Sequence, residues 1–311
     1  MNRFIYSFII WLSIPFAILK ILLKDSHDLS WKVKLKNQLG FIQKKSVRVI
    51  WIHSVSVGEF NASKPLVDEL MSLYPDHKIV ITTTTMTGSK AVKNHYKGNV
   101  IHYFFPFDAG SIMKSFLGAI KPEICILMET EIWPNLIHLL NKKNIPVALI
   151  NARLSEKSFN KYQKFFPKLV SESLSKLSII CPQNTYSADR FIKLGAKKED
   201  LLITGSLKFD NNDSIDTDLI NSLKEMVGDK HVAVFASTRD GEEKLIIDSY
   251  LKLKERIDSL LVIIPRHPER FEEAVKIAKN SGLKVERRSQ IKRCAEDTDI
   301  LIGDSMGEMM A

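Results

Sequence analysis

A hydroxyl-rich corner with one carboxylate follows the apolar run 48–52, and its sequence from His53 to Glu59 is HSVSVGE. The run is typical of a buried strand, and we expect a helix to begin at Glu59. Open α/β sheets bind ligands where strand carboxyl ends meet helix amino ends. Glu59 is therefore a candidate catalytic group. A first-turn glutamate that only stabilises the helix dipole fits the spacing equally well.

Six further motifs follow predicted strands, where polar side chains would share one edge of a sheet. They are METEIWPN at 128–135, NARLS at 151–155, GSLKFD at 205–210, ASTRDGEE at 236–243, PRHPER at 265–270 and GDSMGE at 303–308. The chain contains no GxGxxG after a strand and no Walker A sequence, which disfavours a dinucleotide dehydrogenase or a phosphate-loop ATPase.

Short apolar runs alternate with amphipathic stretches beyond residue 47, a pattern that predicts parallel sheets covered by helices on both faces. The predicted strands of a first, doubly wound domain are 48–55, 78–85, 99–106, 123–130, 147–152, 178–183 and 201–205. Helical stretches between them include 60–73, 110–120, 133–143, 158–176 and 184–194.

A second α/β pattern begins at His231, after the polar segment 211–216, which we interpret as a linker. Its predicted strands are 231–237, 260–266, 283–287 and 299–303, with helices near 242–256 and 269–281. We therefore predict an anchor helix at 1–24, a first Rossmann-like domain at 25–212 and a partial second one at 213–311. Four strands are few for a doubly wound domain.

The N-terminus carries an uncharged, largely apolar run from Phe4 to Leu19, which continues after Lys20 through Leu23 and is weakened by Pro15 and Lys20. Its length is close to the roughly 20 residues that a membrane-spanning helix needs, and an interfacial helix is the alternative. Basic residues follow at Lys24, Lys32, Lys34, Lys36, Lys44, Lys45 and Arg48. This arrangement predicts attachment to anionic lipid of the cell inner membrane, with the globular part on the cytoplasmic side. A core helix followed by a solvated loop is the plainer interpretation.

Composition limits the partners. The 311 residues, 45% of them hydrophobic, are enough for about two domains. A net charge of +9 favours an anionic partner, either nucleic acid or a membrane surface. Because the basic cluster adjoins an apolar segment and no nucleic-acid module is evident, we predict the membrane and no nucleic acid. Three widely spaced cysteines argue against a zinc site or a disulfide framework.

Taken in order along nearly the whole chain, the seven motifs resemble those of the 3-deoxy-D-manno-octulosonic acid (Kdo) transferases of lipopolysaccharide synthesis. The resemblance implies a GT-B fold, in which two Rossmann-like domains face each other across a cleft. It also implies an inverting transfer of Kdo from CMP-Kdo to a lipid A precursor (lipid IVA), without a metal site or a cofactor.

The resemblance assigns roles to individual residues in the first domain. Glu59 matches the general base, while Glu129 and Lys208 match two residues that support the transition state. Glu131 points in the same direction as Glu129 in an extended segment, so the first of these assignments stays open. The plain alternatives are a helix-capping carboxylate for Glu129 and an exposed interdomain lysine for Lys208.

In the second domain, Pro265 and Arg266 match contacts to CMP, as do Met306, Gly307 and Glu308. The guanidinium fork of Arg266 suits a phosphate group, and backbone N–H groups at a helix start would suit the nucleotide. We rank the hydroxyls of Ser237 and Thr238 below Arg266, because strand-end hydroxyls are frequent helix caps.

The chain departs from the family in one respect. Family members continue into a glycine-containing stretch with Asn-Pro-Leu-Glu that contacts the nucleotide, and this sequence has no match for it. We therefore expect the second domain to be incomplete. A catalytically inactive, membrane-bound remnant is the alternative function.

Overall fold

The computed structural model describes residues 1–24, 30–44, 46–210, 217–254, 256 and 258–305. The chain divides into two compact units, Met1–Asn211 and Asn212–Ala311. Each unit is built on one parallel sheet, so the predicted α/β class with two sheets is confirmed. The segment 211–216, which we interpreted as a linker, lies outside the described residues.

The first unit alternates helices and strands as its apolar runs predict. In chain order it contains α1 (Arg3–Lys24), α2 (Trp31–Gln38), β1 (Arg48–His53), α3 (Val57–Leu73), β2 (His77–Thr83), α4 (Met86–Tyr96), β3 (Ile101–Phe104), α5 (Gly110–Ile120), β4 (Pro122–Met128), α6 (Pro134–Lys142), β5 (Val147–Ala152), α7 (Glu156–Phe165), α8 (Pro167–Leu174), β6 (Ile179–Pro182) and α9 (Thr185–Lys193). A 3₁₀ helix, Leu207–Asp210, follows near the end of the unit.

The sheet of the first unit has the strand order β3-β2-β1-β4-β5-β6, with all neighbours parallel. The order reverses between β1 and β4, which makes this pair the topological switch point where such sheets bind ligands. Side chains of β1 alternate between two cores. Trp51 packs with Phe116 on one face, and Ile52 packs with Phe60 on the other.

Three expectations for the first unit are wrong in detail. The seventh strand, 201–205, is reduced to a single bridge between Leu201 and Ile180, followed by backbone hydrogen bonds from the Leu202 and Thr204 N–H groups to β6. The stretch 158–176 forms two helices, because Pro167 lacks an N–H group and disfavours helical geometry at Phe166, where φ is −136°. Helix α3 begins at Val57, two residues before Glu59, since Ser56 caps it.

One face of α1 is docked on the first unit. Ile14 and Ile21 are buried, Ile14 against α5 residues that include Ile112. The Tyr6 hydroxyl donates to Asp108 Oδ2 over 2.9 Å. On the opposite side, Phe4, Phe8, Phe16 and other large apolar side chains are exposed.

The basic cluster after α1 is less uniform than we expected. Lys34 is buried, and the Arg48 guanidinium forms a two-pronged pair with Glu123 at 2.8 and 2.9 Å. These two cations are therefore engaged within the protein. Lys32, Lys36 and Lys44 are exposed, while Lys45 lies outside the described residues.

The second unit has a four-stranded parallel sheet of order β7-β8-β10-β9. Its elements are α10 (Thr217–Val227), β7 (Val232–Thr238), α11 (Glu242–Leu253), β8 (Leu260–Pro265), α12 (Phe271–Lys279), β9 (Val285–Arg287) and β10 (Ile300–Ile302). One core lies between the sheet and helices α11 and α12, and a smaller cluster packs α10 against the sheet. The four predicted strands are thus confirmed.

Candidate active site

Glu59 lies at the amino end of α3, beside the carboxyl end of β1. Its carboxylate Oε2 accepts a hydrogen bond from the Val55 N–H over 2.6 Å, and its own N–H donates to Ser56 Oγ over 3.4 Å. This reciprocal pattern resembles a capping box, and it fixes the side chain at the strand-to-helix corner. A Cβ at Gly58 would meet only Ser56 Oγ, at 3.8 Å, so Gly58 leaves the space before Glu59 open.

The environment of Glu59 favours a proton acceptor that works near neutral pH. Burial raises the pKa of this carboxyl to about 7, the Val55 N–H opposes the rise, and the charge of Glu129 adds to it. A carboxylate with this pKa can take a proton at pH 7 without being fully protonated beforehand. Glu59 is therefore placed to accept a proton as well as to stabilise the helix terminus.

Glu129 follows β4 in a left-handed backbone conformation, with φ of 55°. Its N–H donates to the Ile150 carbonyl over 2.9 Å, so the turn is tied to the neighbouring strand β5. Such a conformation is unfavourable for a residue with a side chain and is typical of functional sites. We expected Glu129 and Glu131 to point in the same direction along an extended segment, and this expectation is wrong, because the chain turns at Glu129.

Glu129 does not cap α6. The first-turn N–H groups of α6, from Asn135 and Leu136, donate instead to the buried carboxylate of Asp108 over 3.0 and 2.8 Å. The Asn135 side chain in turn accepts from Ser7 Oγ (2.9 Å) and from the Arg3 guanidinium (3.2 Å) of α1. Asp108 and Asn135 thus fix the loop that carries Glu129 and Glu131, and they join it to α1.

Glu131 lies close enough to Glu59 for the charges of the two carboxyl groups to interact. Its side chain is 20% exposed, and its Oε2 is 3.8 Å from Nε2 of the fully buried His53. Burial and the charge of Glu59 raise the pKa of Glu131 to about 7. Three carboxyl groups therefore meet at the switch point, and we expect Glu59 and Glu131 to titrate as a coupled pair.

Lys208 lies in the 3₁₀ helix Leu207–Asp210, which contacts α3, the helix that carries Glu59. Asn151 at the end of β5 fixes this segment, since its Oδ1 accepts from the Leu207 N–H over 3.2 Å. The same oxygen accepts from Gln183 over 2.9 Å. Lys208 itself is exposed, so its ammonium group is accessible to a ligand.

In the second unit, Pro265 is buried at the end of β8, and Arg266 follows it with an exposed side chain. The Arg266 N–H donates to the Thr238 carbonyl over 3.0 Å. The Thr238 hydroxyl donates to the buried Glu243 over 2.8 Å, and Glu243 pairs with Arg270 at 3.0 Å. Thr238 therefore has a structural partner, whereas the Arg266 side chain faces solvent. The predicted contacts Met306, Gly307 and Glu308 lie outside the described residues.

Comparison with known proteins decides the family. The family model described as "3-Deoxy-D-manno-octulosonic-acid transferase (kdotransferase)" matches residues 33–211. A 3-deoxy-D-manno-octulosonic acid transferase of Haemophilus influenzae is 37% identical over the whole chain and 74% of its own length. The chain belongs to the Kdo transferase family. A probable mitochondrial member from Arabidopsis thaliana is 34% identical, over 84% of this chain and 60% of its own length.

Solved structures support the fold. The UDP-GlcNAc 2-epimerase of Neisseria meningitidis aligns with a TM-score of 0.55 at 12% identity, over 84% of this chain and 72% of that one. At this identity the likeness concerns architecture alone, and it agrees with the two-sheet GT-B fold expected of a Kdo transferase. Among the residues that the structure describes, no group of three or more His, Cys, Asp or Glu side chains is arranged to hold a metal ion.

Sequence reasoning missed the residues that hold the candidate site together. His53 stands in the first motif, but nothing in the sequence indicates that its ring lies against Glu131. Asn151 and Asn135 also stand in motifs, and amides at strand or helix ends are a usable signal for such connections. Asp108 lies outside every motif, and only the fold brings it to the start of α6.

Proposed function

We propose that this chain is an inverting glycosyltransferase that moves Kdo from CMP-Kdo to a lipid A precursor, lipid IVA. The geometry of Glu59 carries the proposal: the carboxylate is held at the topological switch point, and its pKa is near 7. Glu59 would take the proton of the acceptor hydroxyl as the oxygen attacks the anomeric carbon. The bond to CMP breaks on the opposite face, which inverts the configuration. The names of the relatives support the transfer of Kdo.

Further residues have roles in this proposal. Glu129 supports the transition state beside Glu59, and the Lys208 ammonium balances negative charge on the Kdo carboxylate or on the departing phosphate. Arg266 binds the CMP phosphate, next to Pro265. Met306, Gly307 and Glu308 supply backbone contacts to the nucleotide.

Replacing Lys208 with methionine should lower kcat by about 10²–10³-fold, the effect of removing one group that stabilises developing charge. The side chain is exposed, so the fold should be unaffected. The measurement is CMP release from CMP-Kdo in the presence of lipid IVA. Lys198→Met, on the 3₁₀ helix Lys198–Asp200, is the matched control. Equal activity of the two variants would rule out a role for Lys208 in the transition state.

The N-terminal helix supports attachment to the inner membrane with the catalytic unit on the cytoplasmic side. Arg3–Leu23 is the one helix among the described residues that is long and apolar enough to cross a membrane. However, one face of α1 is docked on the first unit through Ile14, Ile21 and Tyr6. Lipid cannot surround a helix that is docked in this way. We therefore favour the interfacial alternative, with the exposed face of α1 in the headgroup region.

Substituting both Phe8 and Phe16 with glutamate should weaken binding to anionic phospholipid vesicles by tenfold or more. Each phenylalanine is largely exposed, and burying such a side chain contributes about 1.5–3 kcal/mol. Co-sedimentation with vesicles of phosphatidylglycerol and phosphatidylethanolamine measures the loss. Leu73→Glu at the end of α3 changes a comparably exposed apolar residue as a control. If the double variant sediments like the control, α1 is not the membrane contact.

A further inference from the structure

His53 is a fully buried imidazole at the candidate site whose two nitrogens differ. Nδ1 lies 3.1 Å from the Thr82 carbonyl oxygen, which can only accept a hydrogen bond, and 3.0 Å from Thr82 Oγ1, whose own hydrogen goes to the Ile52 carbonyl. Nδ1 therefore carries the hydrogen of the ring, and Nε2 carries a lone pair. Burial lowers the pKa of His53 to about 3, so the ring is neutral.

Nε2 has no hydrogen-bond partner among the described residues. The distance from Nε2 to Glu131 Oε2 is 3.8 Å. A buried nitrogen lone pair beside an ionised carboxylate is unfavourable, whereas a proton on the carboxyl allows an O–H···N bond once the two atoms approach. Such contacts are often long without substrate and shorten in the complex.

The charges around Glu131 favour the same arrangement. The titratable groups that face it are Glu59 on α3, Glu129 at the end of β4, Tyr162 on α7 and His53 on β1. None of these groups is a cation at neutral pH, so nothing in this set offsets two negative charges on Glu59 and Glu131. The pair should therefore retain one proton near pH 7, and the question is which carboxyl holds it.

We propose that His53 is a positioning residue that keeps this proton on Glu131 by accepting it at Nε2, and so leaves Glu59 as the ionised base. The role of Glu59 rests on the proposed function, whereas the position of the proton does not. The Val55 N–H donates to Glu59 over 2.6 Å and favours its charged form. Trp133 acts in the same sense on Glu131, but more weakly, since its Nε1 has no partner within hydrogen-bond distance.

The proton can be observed without an activity assay. ¹⁵N NMR of the imidazole should show His53 as the Nδ1–H form across neutral pH, and ¹³C NMR of the glutamate carboxyls should follow the titration of Glu131. His53→Asn keeps an amide donor for the Thr82 carbonyl and removes the acceptor at Nε2. We expect Glu131 to bind its proton about tenfold more weakly in this variant, the effect of one lost hydrogen bond. His53→Gln replaces the acceptor and should restore the titration.

His102 supplies the matched control, since it is a partly buried histidine whose pKa is also lowered to about 3 and its Nε2 contacts Thr83 Oγ1 at 3.0 Å. His102→Asn should leave the titration of Glu131 unchanged. An Nε2–H form of His53, or an identical titration in wild type and His53→Asn, would overturn the proposal. So would failure of His53→Gln to restore the titration when circular dichroism shows both His53 variants folded.

Activity adds a second readout. In His53→Asn, Glu131 ionises first and its charge makes Glu59 harder to ionise, so the acidic limb of the kcat–pH profile should move upward by about half to one pH unit. The high-pH plateau should stay the same, because Glu59 is ionised there in both proteins. If the NMR results hold but the limb does not move, the proton is correctly placed and the assignment of Glu59 as base is at fault.

Discussion

Replacing Glu59 with glutamine is expected to reduce kcat by about 10²–10⁴-fold, the usual contribution of a general base. The glutamine oxygen can still accept from the Val55 N–H, so the start of α3 should remain intact. CMP-Kdo binding should persist, because Glu59 acts on the acceptor hydroxyl. The measurement is CMP release from CMP-Kdo and lipid IVA, with donor affinity taken from calorimetry. Glu69→Gln, exposed on the same helix, removes an equal charge as a control.

The pH profile sharpens this expectation. Burial raises the pKa of Glu59 to about 7, so the base is protonated and inactive below that pH. Wild-type kcat should therefore rise with pH through about 7 and then level off. The residual activity of Glu59→Gln should lack this limb. A variant with full activity, or one that keeps the limb, would show that another group accepts the proton.

The fold could be predicted from the sequence because the pattern that indicates each strand lies within a few neighbouring residues. Buried parallel strands read as continuous apolar runs, and ten strands lie at or within a few residues of predicted ones. The error at 201–205 has the same origin. An apolar run with only one neighbour at a sheet edge looks like a strand in the sequence, yet this run forms one β-bridge and two further backbone hydrogen bonds to β6. The pattern does not encode how much of an edge run finds a partner.

The site was only partly predictable, because its residues come from different strands. Glu59 and Glu129 follow strands β1 and β4, and the sequence indicates that both lie at the same sheet edge. It does not indicate that these strands are adjacent, and that adjacency brings His53 to Glu131. The left-handed turn at Glu129 sets the direction of both glutamates. The sequence does not indicate this turn, because no glycine occupies the position.

Asp108 is the residue whose loss should most affect stability in the first unit. Its carboxylate is buried and accepts from two first-turn N–H groups of α6 and from the Tyr6 hydroxyl. Asp108→Ala leaves these three donors without their partner, at about 1–3 kcal/mol for each buried group. Because such terms overlap, we expect a total loss of about 3–5 kcal/mol in the free energy of unfolding. Urea denaturation in detergent measures it, with the exposed Asp189→Ala on α9 as the control.

The pH dependence of this loss of stability tests whether Asp108 is protonated in the folded state. Burial raises the pKa of Asp108 from 3.8 to about 7, so the folded state holds a proton that the unfolded chain releases. The stabilisation from that proton is complete below the unfolded value and disappears as the pH rises through 7. Asp108→Ala should therefore be more destabilising at pH 6 than at pH 8. An equal loss at both would mean that Asp108 is ionised throughout, and the helix terminus of α6 would then be binding a full negative charge.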